Sequence, residues 1–546
     1  MQGQQHHGDG RHICDPDLNR KWDAIVIGAG AAGAVYASEL VQAGLNVLML
    51  EMGKHYTDHR AQFVENEGAM WERVWNNSGY QVTGDGFTGA PNLGFGVGGG
   101  TLVWTAVALR FFEQDFRMRS HYGCPAGANV EDWPIRLSDL EPFYARAEKQ
   151  MNVSGELGPW DPPTRTPPPN PPHPLYRSSE LLRNGLTSVG LRSAAGSVAI
   201  ASRAARRQSE CLHCGFCRSG CRIDAKYQSD NMLIADALAT GRLALITGAV
   251  VTRIDMASAR RARGVTFVDA ATGATHSVSS RVVIAANNPI ELPRLFLNSR
   301  CAEQPNGIGN AYDNVGRNFF SHPGTISLGL VDECVNTAIG FNMGNLVSLD
   351  HCHDRGSNRY IGGFALESLN GAGAGVMAVD PYRDLWGAPL KQAMRRYNHA
   401  LFTVAFCEGM PVRDNRITVD SSRLDAWGRP TAHIHYQLHA NDRAVFADAV
   451  ATSRQVLAAA GAREIHTTDT PFDAHPAGTM RMGSDPRNSV TDSYGRIHDV
   501  RNVFVGGAAL YPTGGSVNPT LTLHALALRS SKYVLDHFAD VGRDSD

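Results

Sequence analysis

Four cysteines stand within eleven residues, Cys211, Cys214, Cys217 and Cys221, in the pattern CxxCxxCxxxC. Scatter does not explain four thiols this close on one short loop; an iron–sulfur cluster, zinc, disulfides and free thiols are the readings. The spacing is that of the bacterial ferredoxin run, with Arg222 where the following proline would stand and no second run in the chain. Four thiolates suit a 4Fe–4S cluster, and three suit a 3Fe–4S cluster with one to spare. A tetrahedral zinc site is a further chemistry for the same donors. So are two disulfides, which a reducing compartment disfavours. The other six cysteines are scattered and read as small apolar filler.

A second chemistry-bearing stretch is Gly28-Ala-Gly30-Ala-Ala-Gly33. Gly28 permits a tight turn, Gly30 lets the backbone approach a pyrophosphate, and Gly33 lets a helix pack closely on a strand. The elements needed to position it surround it. The apolar run Ala24 to Ile27 reads as a buried parallel strand, and an Ala-rich helix of about three turns follows the glycines. A second run, Val47 to Leu50, ends on Glu51, which is placed to accept hydrogen bonds from ribose hydroxyls. The helix N-terminus offers free N–H groups and positive dipole to phosphates. These residues predict dinucleotide binding and leave FAD and NAD undivided.

A second glycine cluster, Gly96-Val-Gly98-Gly99-Gly100-Thr101, precedes the apolar run Leu102 to Leu109. Such density suits backbone running against a flat or phosphorylated ligand. The chain of 546 residues is long enough for two structural regions. A net charge of -2 gives no case for nucleic acid or an anionic membrane. No long apolar run reads as a membrane-spanning helix. The polar N-terminus has no signal-peptide core. It is expected to be a flexible extension over residues 1–20 of a cytoplasmic protein, and export with a signal-bearing partner stays open.

Further along, residues 132–150 read as a helix capped by Ser138, with Glu141 completing a capping box. Residues 158–174 are a proline-rich connector. Strand candidates follow at Ala244 to Ile254, which includes Val250, at Arg263 to Phe267, and at Ser280 to Ala286, with a helix at Ile290 to Asn298. Alternating segments between 325 and about 470, among them Leu401 to Phe406 and His433 to Tyr436, suit an antiparallel sheet with one covered face. Asn441 to Ala460 reads as a helix stopped by Gly461. The last 75 residues return to nucleotide-fold texture. A strand and turn end at Gly507, and a helix follows with Asn518 at its N-cap and Pro519 in its first turn.

Taken in order, several motifs resemble the glucose–methanol–choline family of FAD-dependent oxidoreductases. They are the Gly28 turn with Glu51, Gly98 to Thr101, Asp132-Trp133-Pro134, Val315-Gly316-Arg317-Asn318 with His322-Pro323, and Asn415-Arg416-Ile417. The last two are His475-Pro476-Ala477-Gly478 through Gly483, and Ser516-Val517-Asn518-Pro519-Thr520. The texture from Gly98 to Phe111 is most like catalytic subunits of bacterial membrane-linked sugar and polyol dehydrogenases. The C-terminal Asn-Pro-Thr-Leu-Thr is similar to flavin enzymes that oxidise aminoglycoside sugars.

The resemblance implies an α/β (α+β overall) fold with two regions. A Rossmann-like FAD-binding region would span 21–325 and 471–546, and an antiparallel-sheet substrate region 326–470, with pieces of the 55–225 stretch. It implies His475 as catalytic base and Asn518 as its partner. An imidazole is suited to take a hydroxyl proton as hydride leaves the carbinol carbon, and an amide NH2 to hold the developing alkoxide. Contacts to FAD are implied at Gly28, Gly30, Gly33, Glu51, Gly99, Gly100, Thr101, Val250, Gly507, Pro519 and Thr520. Related sugar dehydrogenases hold an iron–sulfur cluster at the Cys-rich loop, which implies Cys211, Cys214, Cys217 and Cys221 as ligands. Electrons would then leave to a cytochrome, a quinone or a small subunit. Two positions depart from the family. Val103 stands where some members attach FAD through histidine, so the expected FAD is non-covalent. Gly507 stands where an Asp is common. The expected activity is a sugar or polyol dehydrogenase. An oxidase on a sugar moiety of a glycoside or aminoglycoside, using oxygen, and a non-redox lyase on the same fold are the other readings.

Overall fold

The computed structural model describes residues 17–543 apart from 65, 77–78, 88–90, 92, 354–358 and 372–383. Most of the N-terminal extension, through residue 16, thus lies outside the described residues.

Two sheets carry the molecule. The first is built on the apolar runs read above. Leu243–Thr247, Val47–Glu51, Lys21–Ile27 and Thr275–Ala285 lie side by side in parallel. Val503–Val505 joins the far end of Thr275–Ala285, also in parallel. The near end of that strand instead pairs antiparallel with Arg261–Asp269, which in turn pairs with Ala249–Ser258. Strands Lys21–Ile27 and Val47–Glu51 are almost wholly buried, as a parallel strand covered on both faces must be. Helices Ala31–Gln42 and Thr520–Asp536 contribute long buried faces to the same core.

The second sheet is antiparallel. Its order is Met343–Ser348, Phe364–Leu369, Ala400–Cys407 and Phe320–Leu330. The last strand is long enough to pair with Glu464–Thr467 at one end and with Phe472–Ala477 at the other. Leu366, Leu401, Ala405 and Cys407 share a buried cluster with Val445, Ala449, Val456 and Leu457 of helix Ala440–Ala459. The alternate residues, Phe402, Val404 and Phe406, belong to the main core on the opposite face.

Three local expectations need correction. His433 to Tyr436 does not join the six-stranded sheet; strand Pro430–His435 pairs with Arg416–Leu424 and, in parallel, with Gln81–Thr83. The helix after Asp132 runs Leu137–Met151, so Ser138 lies inside it. Its start is closed by Asp139, whose carboxylate accepts the Arg136 N–H at 2.8 Å. Glu141 is drawn instead to the buried Arg110 guanidinium, 2.6 Å away. The C-terminal helix starts one residue later than expected, with Pro519 rather than Asn518 at the cap. Among the described residues no helix is long and apolar enough to cross a membrane.

Candidate active site

The glycine turn after Lys21–Ile27 divides into two functions. Gly28 has φ +93°, and a β-carbon there would approach the Ala286 carbonyl to 3.0 Å. A β-carbon at Gly33 would run into the Gly28 carbonyl oxygen. These two glycines are required by the fold itself. Gly30 and Gly100 differ. A β-carbon at Gly100 would meet nothing within 4 Å, and one at Gly30 only Gly99 Cα at 3.9 Å. Gly507 also looks into space, its nearest neighbour being the Asn287 carbonyl at 4.0 Å. The segments are stitched together, for Gly98 N–H donates to the Ala29 carbonyl at 2.9 Å. Open space thus lies beside the backbone at Gly30, Gly100 and Gly507, and Asn287, whose carbonyl is the nearest neighbour of Gly507, holds a buried Oδ1 without a partner.

Other predicted contacts have partners within the chain. Glu51 accepts the Ala29 and Gly53 N–H groups, each at 2.8 Å, and burial raises its pKa against those bonds. Thr101 is buried, donating to the Gly98 carbonyl and pairing with Ser229 Oγ at 2.8 Å. Val250 is buried in strand Ala249–Ser258, just after the Gly248 turn. Pro519 accepts the Tyr511 hydroxyl at its carbonyl, and Thr520 opens the last long helix.

His475 lies on strand Phe472–Ala477. The register against Phe320–Leu330 runs His322 opposite Ala474, then Phe320 opposite Ala477. One residue, Ser321, thus faces two, His475 and Pro476. A bulge of this kind re-aims a side chain. His475 takes φ +62°, rare for a non-glycine residue and common where function imposes it. Its Nδ1 comes within 3.1 Å of His322 Nδ1. The Phe406 ring packs 4.9 Å from its own. Burial, then the neighbouring His322, holds the His475 pKa well below the ordinary imidazole value, and burial brings His322 to about 4. Both rings are neutral at pH 7.

The turn Gly514-Gly515-Ser516 connects this pair to Asn518. A β-carbon at Gly514 would come within 2.6 Å of His322 Nε2. Ser516 donates to the Cys352 carbonyl, and Asn518 is 4% exposed with its Oδ1 unpartnered. Around the turn are acids that no motif pointed to. Glu367, on Phe364–Leu369, is 1% exposed with neither carboxyl oxygen bonded; burial brings its pKa to about 8, against a lowering contribution from Asn518. Burial raises Asp115 to about 7 and Glu408 well above the carboxylate range. The sequence signal for Glu367 is one acid inside the wholly buried strand FALESL. An acid there is rare unless it is used or protonated.

The four clustered cysteines lie elsewhere but not far. All four line one cavity of about 200 Å³ with Phe63, Phe216 and Phe341. All four are free thiols. Among the described residues no set of three His, Cys, Asp or Glu converges to hold a single metal ion. Lys226 ties this loop to the glycine segment. Its ammonium is buried and donates to the carbonyls of Leu102, Trp104 and Cys217 at 2.9, 3.2 and 2.6 Å.

Two family models described as GMC oxidoreductase match the chain, one over residues 22–324 and one over 411–527. The 2-methyl-1,2-propanediol dehydrogenase of Mycolicibacterium austroafricanum is 30% identical over 95% of this chain and 96% of its own. The 6'''-hydroxyparomomycin C oxidase of Streptomyces lividus is 30% identical over 98% of this chain and 94% of its own. Among solved structures, a formate oxidase of Aspergillus oryzae RIB40 superposes with a TM-score of 0.68 at 14% identity, covering 96% of this chain and all of that one. At that identity the likeness concerns the fold alone.

Proposed function

The chain belongs to the GMC oxidoreductase family, and from that premise we propose that it is an FAD-dependent dehydrogenase of a sugar, polyol or related alcohol. The observation that carries this is the neutral, bulge-aimed His475 set beside a turn that ends on Asn518. When bound against the backbone at Gly30, Gly100 and Gly507, FAD supplies the acceptor for the hydride of the carbinol carbon. The protein's share is the proton and the geometry. His475 takes the hydroxyl proton, a task that needs a neutral imidazole, and its lowered pKa keeps it neutral. The Asn518 amide holds the substrate oxygen as negative charge develops there. Phe406 and the buried sheet face exclude water around the reacting oxygen.

The FAD is held without a covalent bond. Val103, in the position that some family members use for attachment, is buried in an apolar cluster with Tyr56, Phe63 and Leu102. Acid precipitation is expected to release all flavin to the supernatant; flavin in the pellet would refute this. The cavity of four thiols is proposed to hold an iron–sulfur cluster through Cys211, Cys214, Cys217 and Cys221. Such a cluster would accept electrons one at a time and pass them to a cytochrome, quinone or small-subunit partner.

The second reading is an oxidase on the sugar moiety of a glycoside or aminoglycoside. The Streptomyces lividus relative favours it, being named an oxidase of a hydroxyparomomycin. A panel of alcohols and sugars, assayed with an artificial acceptor and in parallel by oxygen uptake, divides the two. Turnover with the dye and slow oxygen uptake supports the dehydrogenase. Stoichiometric peroxide with fast oxygen uptake supports the oxidase.

A further inference from the structure

Two ring nitrogens 3.1 Å apart share one proton, and which ring owns it decides whether His475 is able to accept another. In a neutral imidazole only one nitrogen carries hydrogen. Were Nδ1 of His475 the bare one, its Nε2 would carry the proton and have no lone pair for a substrate hydroxyl.

The role proposed for His475 sets the direction. For its Nε2 to take a substrate proton, its Nδ1 must carry the hydrogen, and the group 3.1 Å away must accept it. The other nitrogen of His322, Nε2, faces the Gly514–Gly515 turn. The Gly514 N–H donates to Glu408 Oε1 at 3.0 Å, so that amide is not free to donate to His322. Nε2 of His322 then carries the hydrogen and Nδ1 carries the lone pair. That lone pair faces His475, whose Nδ1 must then be the donor. The rings meet nearly perpendicular, at 84°, with centroids 5.1 Å apart. The bulge opposite Ser321 and the Phe406 ring fix His475 in that pose.

We propose that His322 is a positioning residue for the reaction: by accepting the Nδ1–H of His475 it fixes that ring in the tautomer whose Nε2 lone pair is free for the substrate hydroxyl. The Gly514 turn, His322 and His475 stand in sequence, and no net charge is needed along them. Which nitrogen of a histidine is basic is set by the bond its other nitrogen makes. The inference rests on the reading of His475 as proton acceptor. The same turn carries Asn518 two residues beyond Ser516, so one piece of backbone sets both the tautomer and the amide.

The experiment uses holoenzyme and three variants, His322→Leu, His322→Asn and His475→Ala, read by anaerobic flavin reduction at saturating substrate together with substrate affinity. His322→Leu is expected to slow reduction about 10²-fold, the cost typical of a misplaced reacting group, with little change in affinity. His322→Asn places an amide oxygen where Nδ1 stood and is expected to restore most of the rate. His322→Leu and His322→Asn equally slow would reduce His322 to a packing role and overturn the proposal. So would a wild-type rate in His322→Leu while His475→Ala is inactive. A wild-type rate in His475→Ala would instead sink the underlying reading. Should His322→Leu fail to retain flavin, side-chain nitrogen NMR of wild-type holoenzyme decides. Nε2 of His475 must show the shift of an unprotonated nitrogen, and a protonated Nε2 would overturn the assignment.

Discussion

Nδ1 of His475 stands 3.1 Å from Nδ1 of His322, across a bulge that turns a non-glycine residue to φ +62°. The bulge belongs to the antiparallel sheet, while the Gly514–Gly515 turn behind His322 follows strand Val503–Val505 of the largely parallel sheet. The reacting geometry is thus set where the two sheets meet.

The first prediction concerns pH. The folded pKa of His475 lies well below the free imidazole value. The rate of flavin reduction should therefore stay level from pH 8 down through about pH 6.5. It should fall only at more acid pH, as the base is protonated. A limb centred at or above pH 7 in single-turnover kinetics would contradict this.

Stability should respond to Glu367 in the opposite sense. Its folded pKa is raised to about 8 from an ordinary 4.5. Between those values the folded state holds a proton that the unfolded state releases, so stability is lost as pH rises through this window. Glu367→Gln removes the term. The melting temperature of Glu367→Gln relative to wild type should climb from pH 5 to pH 8.5 and then level. A difference independent of pH would show that Glu367 is ionised when folded.

Gly100 offers a test of the proposed FAD contact that leaves the fold alone. Its φ is not left-handed and a β-carbon there meets nothing. Gly100→Val should melt as wild-type apoprotein does and lose most of its FAD affinity. Full flavin content in the purified variant would remove Gly100 from the binding surface.

The Cys-rich cavity predicts iron with matching acid-labile sulfide in anaerobically purified protein. Exchanging Cys217 for Ser should lower both while FAD stays bound, since none of Gly30, Gly100 and Gly507 lines the cavity. Metal-free protein with four thiols open to alkylation would contradict the cluster.

Much of the nucleotide half was legible because its strands are continuous apolar runs bounded by glycine, as at Ala24 to Ile27 and Val47 to Leu50. Leu401 to Phe406 was legible as an antiparallel strand but not in its burial: read as having one covered face, it is covered on both, because helix Ala440–Ala459 packs on one side and the main core on the other. Phe472–Ala477 was not, because Asp473, His475 and Pro476 break any period and the strand exists only as a bulged partner of Phe320–Leu330. Ser138 misled as a cap because Asp139, one residue on, competes for the same helix start and wins through Arg136 N–H. His475 and Asn518 stood out by resemblance alone. Glu367, Glu408 and Asp115 had no such signal, since they gather by tertiary packing around a turn more than a hundred residues from the nearest of them.

The most direct measurement of the central claim is anaerobic stopped-flow bleaching of the bound flavin by an active alcohol, in wild type and in His475→Ala. With His475 as proton acceptor, the variant should retain FAD and reduce it about 10²- to 10⁴-fold more slowly, the range of a lost general base. Bleaching at the wild-type rate in flavin-replete His475→Ala would contradict the account.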